Sequence, residues 1–278
     1  MFAFKKFILP CVSLFILVAC SKSPQNTPDP NPPIEPPPIK PPVEQPSNQK
    51  CTLLKGVYYQ NNVAYDSSEF VYSDTSIIRT NEASGRYYTF EYSNGTIVKR
   101  NHFLKGANQA AAYTNFSYNA ENNITAIEIY DGNNKVRSFY FNYNAGKLEK
   151  LVAKKFSSIT SSEVVEYETS YTYTGENITQ STKVQNIGGN TQTEVINYSY
   201  DNLDNFLKKR TNAFLVEPYF FSLEGSLYPY FFSKNNIKGI VYNGGANSPH
   251  TYRTNTSGYL TEITINNQIA SRYRYECK

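Results

Sequence analysis

At 278 residues and a formal net charge of +4, the chain is long enough for one sizeable folded domain and carries too little charge to read as a nucleic-acid binder. Its 25 tyrosines and 17 phenylalanines, set against no tryptophan and one methionine, point to a core filled by aromatic rings. There is no Gly-rich phosphate loop, no Gly-x-Ser-x-Gly elbow and no His-Glu-x-x-His pair, so the common signatures of nucleotide binding and of hydrolysis are excluded.

Residues 1–19 read as a secretory signal. Lys5 and Lys6 are the only charges before an apolar run from Phe7 to Val18, which is too short to span a bilayer core and contains Pro10. The run closes on Leu17-Val18-Ala19-Cys20, the pattern of a lipobox. Cleavage before Cys20 would leave it as the mature N-terminus with a diacylglyceryl thioether on its sulfur. The expected location is therefore the outer membrane of a Gram-negative bacterium, held by lipid. Ser21-Lys22-Ser23 carries no acidic export signal, which leaves the periplasmic and surface-facing sides open.

Residues 20–50 form a spacer. Eleven of the 15 prolines lie between Pro24 and Pro46. Proline fixes φ and removes a donor, so this stretch cannot enter a helix or a sheet ladder. A polyproline II rod of this length reaches on the order of 80–90 Å, enough to hold a folded domain clear of a lipid surface.

Residues 51–278 are the folded domain. Lys5 and Lys6 leave with the signal and the spacer is charge-balanced, so the domain keeps about half of the small positive charge, without a basic block. Of the four cysteines, Cys11 leaves with the signal and Cys20 is acylated. Cys51 and Cys277 remain at the two ends of the domain, and in an oxidising compartment such a pair reads as one disulfide. That bridge requires the sheet to curl, or the N-terminal segment to run beside the last strand. A metal site is the weaker reading, because His102 and His250 are the only histidines and neither stands at ligand spacing from a cysteine. No cofactor is expected.

Within the domain one phrase recurs: two aromatics alternating with polar residues, a Gly- or Asn-rich turn, then Ile or Leu. It appears as Phe90-Glu91-Tyr92 with Asn94-Gly95 and Ile97, as Phe116-Ser117-Tyr118 with Ile124, and as Phe141-Asn142-Tyr143 with Gly146 and Leu148. Tyr171-Thr172-Tyr173 with Ile178 and Tyr198-Ser199-Tyr200 follow, and the second aromatics are spaced by 26, 25, 30 and 27 residues. Period-2 alternation puts the rings on one face of a strand, and the turns supply the positive φ of tight hairpins. The expectation is an all-β fold: an antiparallel meander of repeated hairpins forming a twisted, curved sheet of roughly 14–16 strands.

The Tyr-x-Tyr-x-x-x-Gly/Asn-x-Ile/Leu phrase resembles the YD (RHS-type) repeat, although only Tyr200-Asp201 keeps the Tyr-Asp pair itself. With its lipobox and Pro-rich spacer, the chain looks like Bacteroidetes-type lipoproteins of unknown function. The resemblance covers about residues 51–278. It implies a β-strand repeat scaffold and an envelope location, and it brings no catalytic residue.

Phe214 to Phe232 breaks the rhythm. It is dense in aromatics without alternation, and Pro218 and Pro229 keep it out of a central strand. It is expected to plug or cover the sheet as a short helix or loop, in preference to forming a ligand-facing platform. His102 and His250 are expected to be exposed or in turns. Glu166, Glu168 and Glu194 lie on strand-like runs and are expected on the solvated face. Two functions follow. The favoured one is a non-catalytic envelope lipoprotein whose domain binds a glycan, a peptide or an envelope protein. The alternative is an envelope hydrolase, a glycosidase for example, using carboxylates placed on the sheet.

Overall fold

The computed structural model describes residues 50–157, 159–209, 213–216 and 228–278. Sixteen strands run in chain order: β1 (Cys51–Gln60), β2 (Val63–Ser73), β3 (Ser76–Glu82), β4 (Tyr87–Ser93), β5 (Thr96–Phe103), β6 (Ala112–Tyr118), β7 (Ile124–Asp131) and β8 (Asn134–Asn144). They continue as β9 (Lys147–Ser157), β10 (Ser162–Thr174), β11 (Asn177–Ile187), β12 (Asn190–Asp204), β13 (Asn235–Tyr242), β14 (Asn247–Thr254), β15 (Leu260–Ile265) and β16 (Gln268–Cys277). Among the described residues, three four-residue helices lie between β12 and β13: α1 (Phe206–Lys209), α2 (Ala213–Val216) and α3 (Pro229–Phe232).

Every strand pairs antiparallel with its chain neighbours, and β1 pairs with β16, so the meander closes into a barrel. Closure removes the free edges that an open meander would expose. The seam runs from Cys51↔Cys277 to Tyr58↔Ser271. A disulfide joins Cys51 to Cys277 there, with 4.0 Å between their Cα atoms. Both geometric conditions for that bridge are met at once: the sheet curls, and the first strand lies beside the last.

Tight turns join the strands. Asn94 and Gly95 both take positive φ (48° and 78°), the backbone of a two-residue primed hairpin. Beside each repeat's turn sits a bulge. Tyr92 pairs with Ile97 while Glu91 pairs with Lys99, leaving Val98 as the extra residue. The same slip recurs at Tyr118 and Ile124, at Tyr143 and Leu148, and at Tyr173 and Ile178. Bulges increase local twist and so help a long meander to close.

The repeat's aromatics face inward. Phe90, Phe116, Phe141, Tyr171 and Tyr198 are all buried and share one core with Ile97, Leu148, Leu151 and Ile178. The outer wall is polar and charged, with ion pairs running across it: Lys55 to Glu69, Lys135 to Glu128 and Lys150 to Glu168. A 16-stranded cylinder is too wide for ordinary wall side chains to meet at its axis. Large rings reach further inward, and Leu207, Leu215, Val216, Tyr228 and Tyr230 from the segment after β12 take up more of the space.

A candidate functional site inside the barrel

The described residues of the segment after β12 reach inward-facing side chains on strands spread around the barrel, which places those residues in the lumen. Thr80 on β3 and Arg100 on β5 donate to the carbonyls of Val216 and Leu215, at 3.2 Å each. Phe141 on β8 meets Tyr228 edge to face at 5.3 Å. Tyr230 hydrogen-bonds His250 on β14. Leu207, Leu215, Val216, Tyr228 and Tyr230 all belong to the barrel's core.

Its base is splinted by amide side chains. Asn205 Oδ1 accepts from the backbone N–H of Leu207 and Lys208, capping α1, while Asn205 Nδ2 donates to the carbonyls of Tyr230 and Ser233. Thus one side chain ties the start of the insertion to its end. Asn236 repeats the device by accepting from Phe206 N–H and donating to Asp201. Pro229 opens α3 at a position where its missing N–H costs nothing, so the proline that bars the segment from a strand also starts its last helix.

Where α2 ends, the lumen holds a buried polar cluster. Glu82 on β3 accepts from Arg86 Nε at 2.6 Å and from the Tyr88 hydroxyl at 2.8 Å. Arg100, 2% exposed, sends Nη1 to the Leu215 carbonyl and Nε to His102 Nε2 at 3.1 Å. Its guanidinium lies over the Tyr88 ring. Thr114 also contacts His102 Nε2. A guanidinium can only donate, so His102 Nε2 is an acceptor and its ring proton sits on Nδ1. His250 holds the same tautomer, because its Nδ1 faces the Ser248 carbonyl, which can only accept.

Burial dominates the electrostatics. It lowers Arg100 to about 10, partly opposed by Tyr88 and Glu82. It lowers His102 to about 3, helped by Arg100 and Arg86. His250 is also lowered by burial, against the Ser248 carbonyl. Both imidazoles are therefore neutral near pH 7, and Arg100 is cationic. What this arrangement does chemically is capping: a fixed cation and a hydroxyl meet the carbonyl end of α2, where the peptide dipoles leave negative charge.

Several expectations change here. His102 and His250 are neither exposed nor in turns. They lie within β5 and β14, face inward, and belong to the machinery that holds the insertion. Glu168 does stand on the outer wall, paired to Lys150 at 2.8 Å. Glu166 does not: it fills a bulge between Val165 and Tyr167 and pairs at 2.8 Å with Arg137, whose guanidinium lies over the inward-facing Phe139 and Tyr167 rings. Glu194 on β12 is not on the solvated face either: it shares the inward phase of Ile196 and Tyr198 and lies opposite buried Lys183 on β11, whose ammonium sits over the Tyr167 ring. The wall therefore separates Glu168 from Glu166 and Glu194. Phe214's side chain and residues 217–227, with Pro218, Phe220 and Phe221, lie outside the described residues, as do Cys20 and the spacer prolines. Arg100 was missed in the sequence. Alternation from Ile97 would put it on the outer face, and only the bulge at Val98 turns it inward.

Two aromatic pairs stack on the outer wall. Tyr87 and Phe103 lie 4.5 Å apart with Arg79 over the Tyr87 ring, and Tyr113 and Tyr130 lie 4.5 Å apart with Lys99 over Tyr113. Their ring faces are largely taken up by one another and by these cations.

No protein-family profile matches the chain, and no curated protein matches it. Among solved structures it is similar to a porin-like protein from Bacteroides uniformis, at 13% identity and a TM-score of 0.49, over 84% of this chain and 100% of that one. It is also similar to two DUF3836 family proteins. The one from Parabacteroides distasonis is 16% identical, with a TM-score of 0.21 over 40% of this chain and 87% of that one. The one from Bacteroides vulgatus is 18% identical, with a TM-score of 0.18 over 39% of this chain and 97% of that one. At these identities and TM-scores the likenesses carry no argument about what this chain does.

Proposed function

We propose that the chain is a non-catalytic envelope lipoprotein, anchored by acyl chains on Cys20 and carrying residues 51–278 as a rigid binding or scaffold module on a proline-rich spacer. One observation supports this above the others. The barrel is aromatic and aliphatic inside and charged outside, the inverse of a barrel that spans a membrane, where the band facing lipid is apolar. Ion pairs such as Lys150 to Glu168 would face hydrocarbon if the barrel were inserted. The barrel therefore belongs in water, and its attachment falls to the lipobox. The chain enters the barrel at Lys50, whose carbonyl accepts from Lys278 N–H at the disulfide-closed end of the seam. A pull from the anchor thus arrives where the barrel is covalently closed.

The test is phase partition of the full chain and of its Cys20→Ala variant. The native chain is expected in the detergent phase carrying label from a radioactive fatty acid. The variant is expected in the aqueous phase, or as an unlabelled precursor still bearing residues 1–19. Unlabelled native protein, or a cleaved variant still held at the membrane, would refute the anchor.

A further inference from the structure

Three times in the chain an amide or acid side chain stands just before glycine: Asn94-Gly95, Asp131-Gly132 and Asn243-Gly244. A glycine nitrogen has no side chain beside it to hinder attack. It can therefore close onto the preceding side-chain carbonyl carbon and form a succinimide. Each pair lies at a hairpin turn, β4–β5, β7–β8 or β13–β14, and each is exposed. All three glycines take positive φ, and beyond their chain neighbours no heavy atom lies within 4 Å of where a Cβ would stand. Sequence and turn thus leave the three alike, and hydrogen bonds separate them. Gly132 N–H donates to the Ala111 carbonyl at 3.1 Å, so the nitrogen that would attack Asp131 is engaged. Asn243 Oδ1 accepts from Val195 N–H at 2.7 Å, while Asn243 N–H donates to the Val195 carbonyl, which pins that side chain to β12. Among the described residues, neither the Asn94 side chain nor the Gly95 N–H has a hydrogen-bond partner.

We propose that Asn94 is a self-modification site, at which the chain deamidates through a succinimide, and that the fold spares Asp131 and Asn243. Gly95 N attacks Asn94 Cγ. The N–Cγ bond forms, the Cγ–Nδ2 bond breaks, and the leaving nitrogen takes the Gly95 amide proton and departs as ammonia. Water then opens the ring. Its addition at the Asn94 main-chain carbonyl carbon gives isoaspartate, and its addition at Cγ gives aspartate. In either case one proton of the water goes to the nitrogen released from the ring. The same closure at Asn243 must first break the bond to Val195. Isoaspartate routes the main chain through Cβ and Cγ, which adds an atom to a turn spanned by two residues between the closing pair Ser93↔Thr96. Loop length fixes the register of a tight hairpin, so the longer link disturbs the Tyr92↔Ile97 pair and the bulge beside it. Both products also place a carboxylate at a tip that was uncharged. The reaction proceeds whether or not Cys20 is acylated.

The experiment incubates the folded mature chain at mildly alkaline pH and physiological temperature. Peptides containing Asn94, Asp131 and Asn243 are followed by mass spectrometry, with chromatography to resolve isoaspartate. A parallel sample is held in denaturant with the disulfide reduced. In the folded chain Asn94 is expected to convert about two- to tenfold faster than Asn243, the factor by which one hydrogen bond of ordinary net strength raises a barrier. In denaturant the two asparagines should convert at similar rates, because only the fold tells them apart. Asn94→Gly keeps the positive φ and removes the amide, so its turn peptide should stay unmodified. The native chain's denaturation midpoint should fall as Asn94 converts, while that of Asn94→Gly holds over the same period. An Asn243 that keeps pace with Asn94 in the folded chain would overturn the proposal, as would an Asn94 that stays intact while its denatured counterpart converts. A rate gap that persists in denaturant would do the same, since it would then come from the neighbouring residues and not from the fold.

Discussion

The Tyr118 hydroxyl, on β6, donates to the carbonyl of Ile97, on β5, at 2.7 Å. The β5–β6 ladder stops at Lys99↔Asn115, so the Ile97 carbonyl lies past its last pair and the tyrosine supplies the missing donor. The same clasp recurs from repeat to repeat. Tyr92 donates to Ile77 at 2.8 Å, Tyr143 to Ile124 at 3.0 Å, Tyr252 to Ile237 at 2.7 Å, and Tyr200 to Ile178. Each carbonyl belongs to the previous hairpin, so the tyrosines lock successive repeats together. Tyr118→Phe keeps the ring and removes the donor, and is expected to cost about 0.5–1.5 kcal/mol in chemical denaturation. Phe116→Tyr would bury an added hydroxyl in the core and is expected to give no gain.

Replacing Arg100 by methionine keeps much of its length while removing its donors to the Leu215 carbonyl and to His102. A loss of about 1.5–3 kcal/mol is expected, in line with hydrogen bonds from a charged donor. Proteolysis provides a second readout. If Arg100 anchors the insertion, the variant is cut within residues 205–234 faster than the native chain, while the strands stay protected.

Much of the fold was legible in the sequence, and the reason is physical. Period-2 alternation, Asn-Gly turns and a fixed aromatic spacing act locally, so Phe90-Glu91-Tyr92 announces its hairpin without help from the rest of the chain. Closure was not legible, because the pairing of β1 with β16 joins the two ends of the domain and leaves no mark in either strand alone. Cys51 and Cys277 were the one long-range hint. The histidines were misplaced for a related reason. His250 follows Ser248-Pro249 in a segment of turn-like composition, and the partner of its Nε2, Tyr230, arrives from the distant insertion. The repeat also held a signal left unused: its first aromatic varies between Phe and Tyr, while its second is Tyr at 92, 118, 143, 173 and 200. A hydroxyl retained at one position of two implies a hydrogen bond there.

Acid is expected to destabilise the barrel in a defined window. His102 is lowered to about 3 and His250 is lowered too, both by burial, while in the unfolded chain each titrates near the ordinary value of 6.5. Below about pH 6.5 the unfolded state therefore binds protons that the folded state refuses, and stability falls as pH drops. For His102 the loss continues down to its folded value, at a slope approaching 1.4 kcal/mol per pH unit, to order of magnitude. Above pH 7 neither histidine contributes a slope. Denaturation midpoints from pH 7.5 to 4.5 check this, and His102→Gln should flatten the profile. An unchanged profile in that variant would place the acid sensitivity elsewhere.

Opening the seam bridge gives the last prediction. The Cys51–Cys277 disulfide spans 226 residues of chain, so it restricts the unfolded ensemble strongly, by up to about 5 kcal/mol in the chain-entropy account. In the folded barrel it does little of the holding, because β1 and β16 are already paired from Thr52↔Glu276 to Tyr58↔Ser271 and Lys278 N–H reaches the Lys50 carbonyl. Reduction should therefore lower the denaturation midpoint while leaving the native barrel intact at 25 °C. Circular dichroism of the reduced chain should keep its strand signal. Amide exchange should quicken first at Cys51 to Lys55 and at Arg274 to Cys277, since fraying starts where the covalent clasp was removed. Thiol labelling of the denatured, unreduced mature chain should find neither Cys51 nor Cys277 free. A reduced chain with an unchanged midpoint would show that the ladder alone fixes the seam, and labelled thiols in the unreduced chain would show that the bridge does not form in solution.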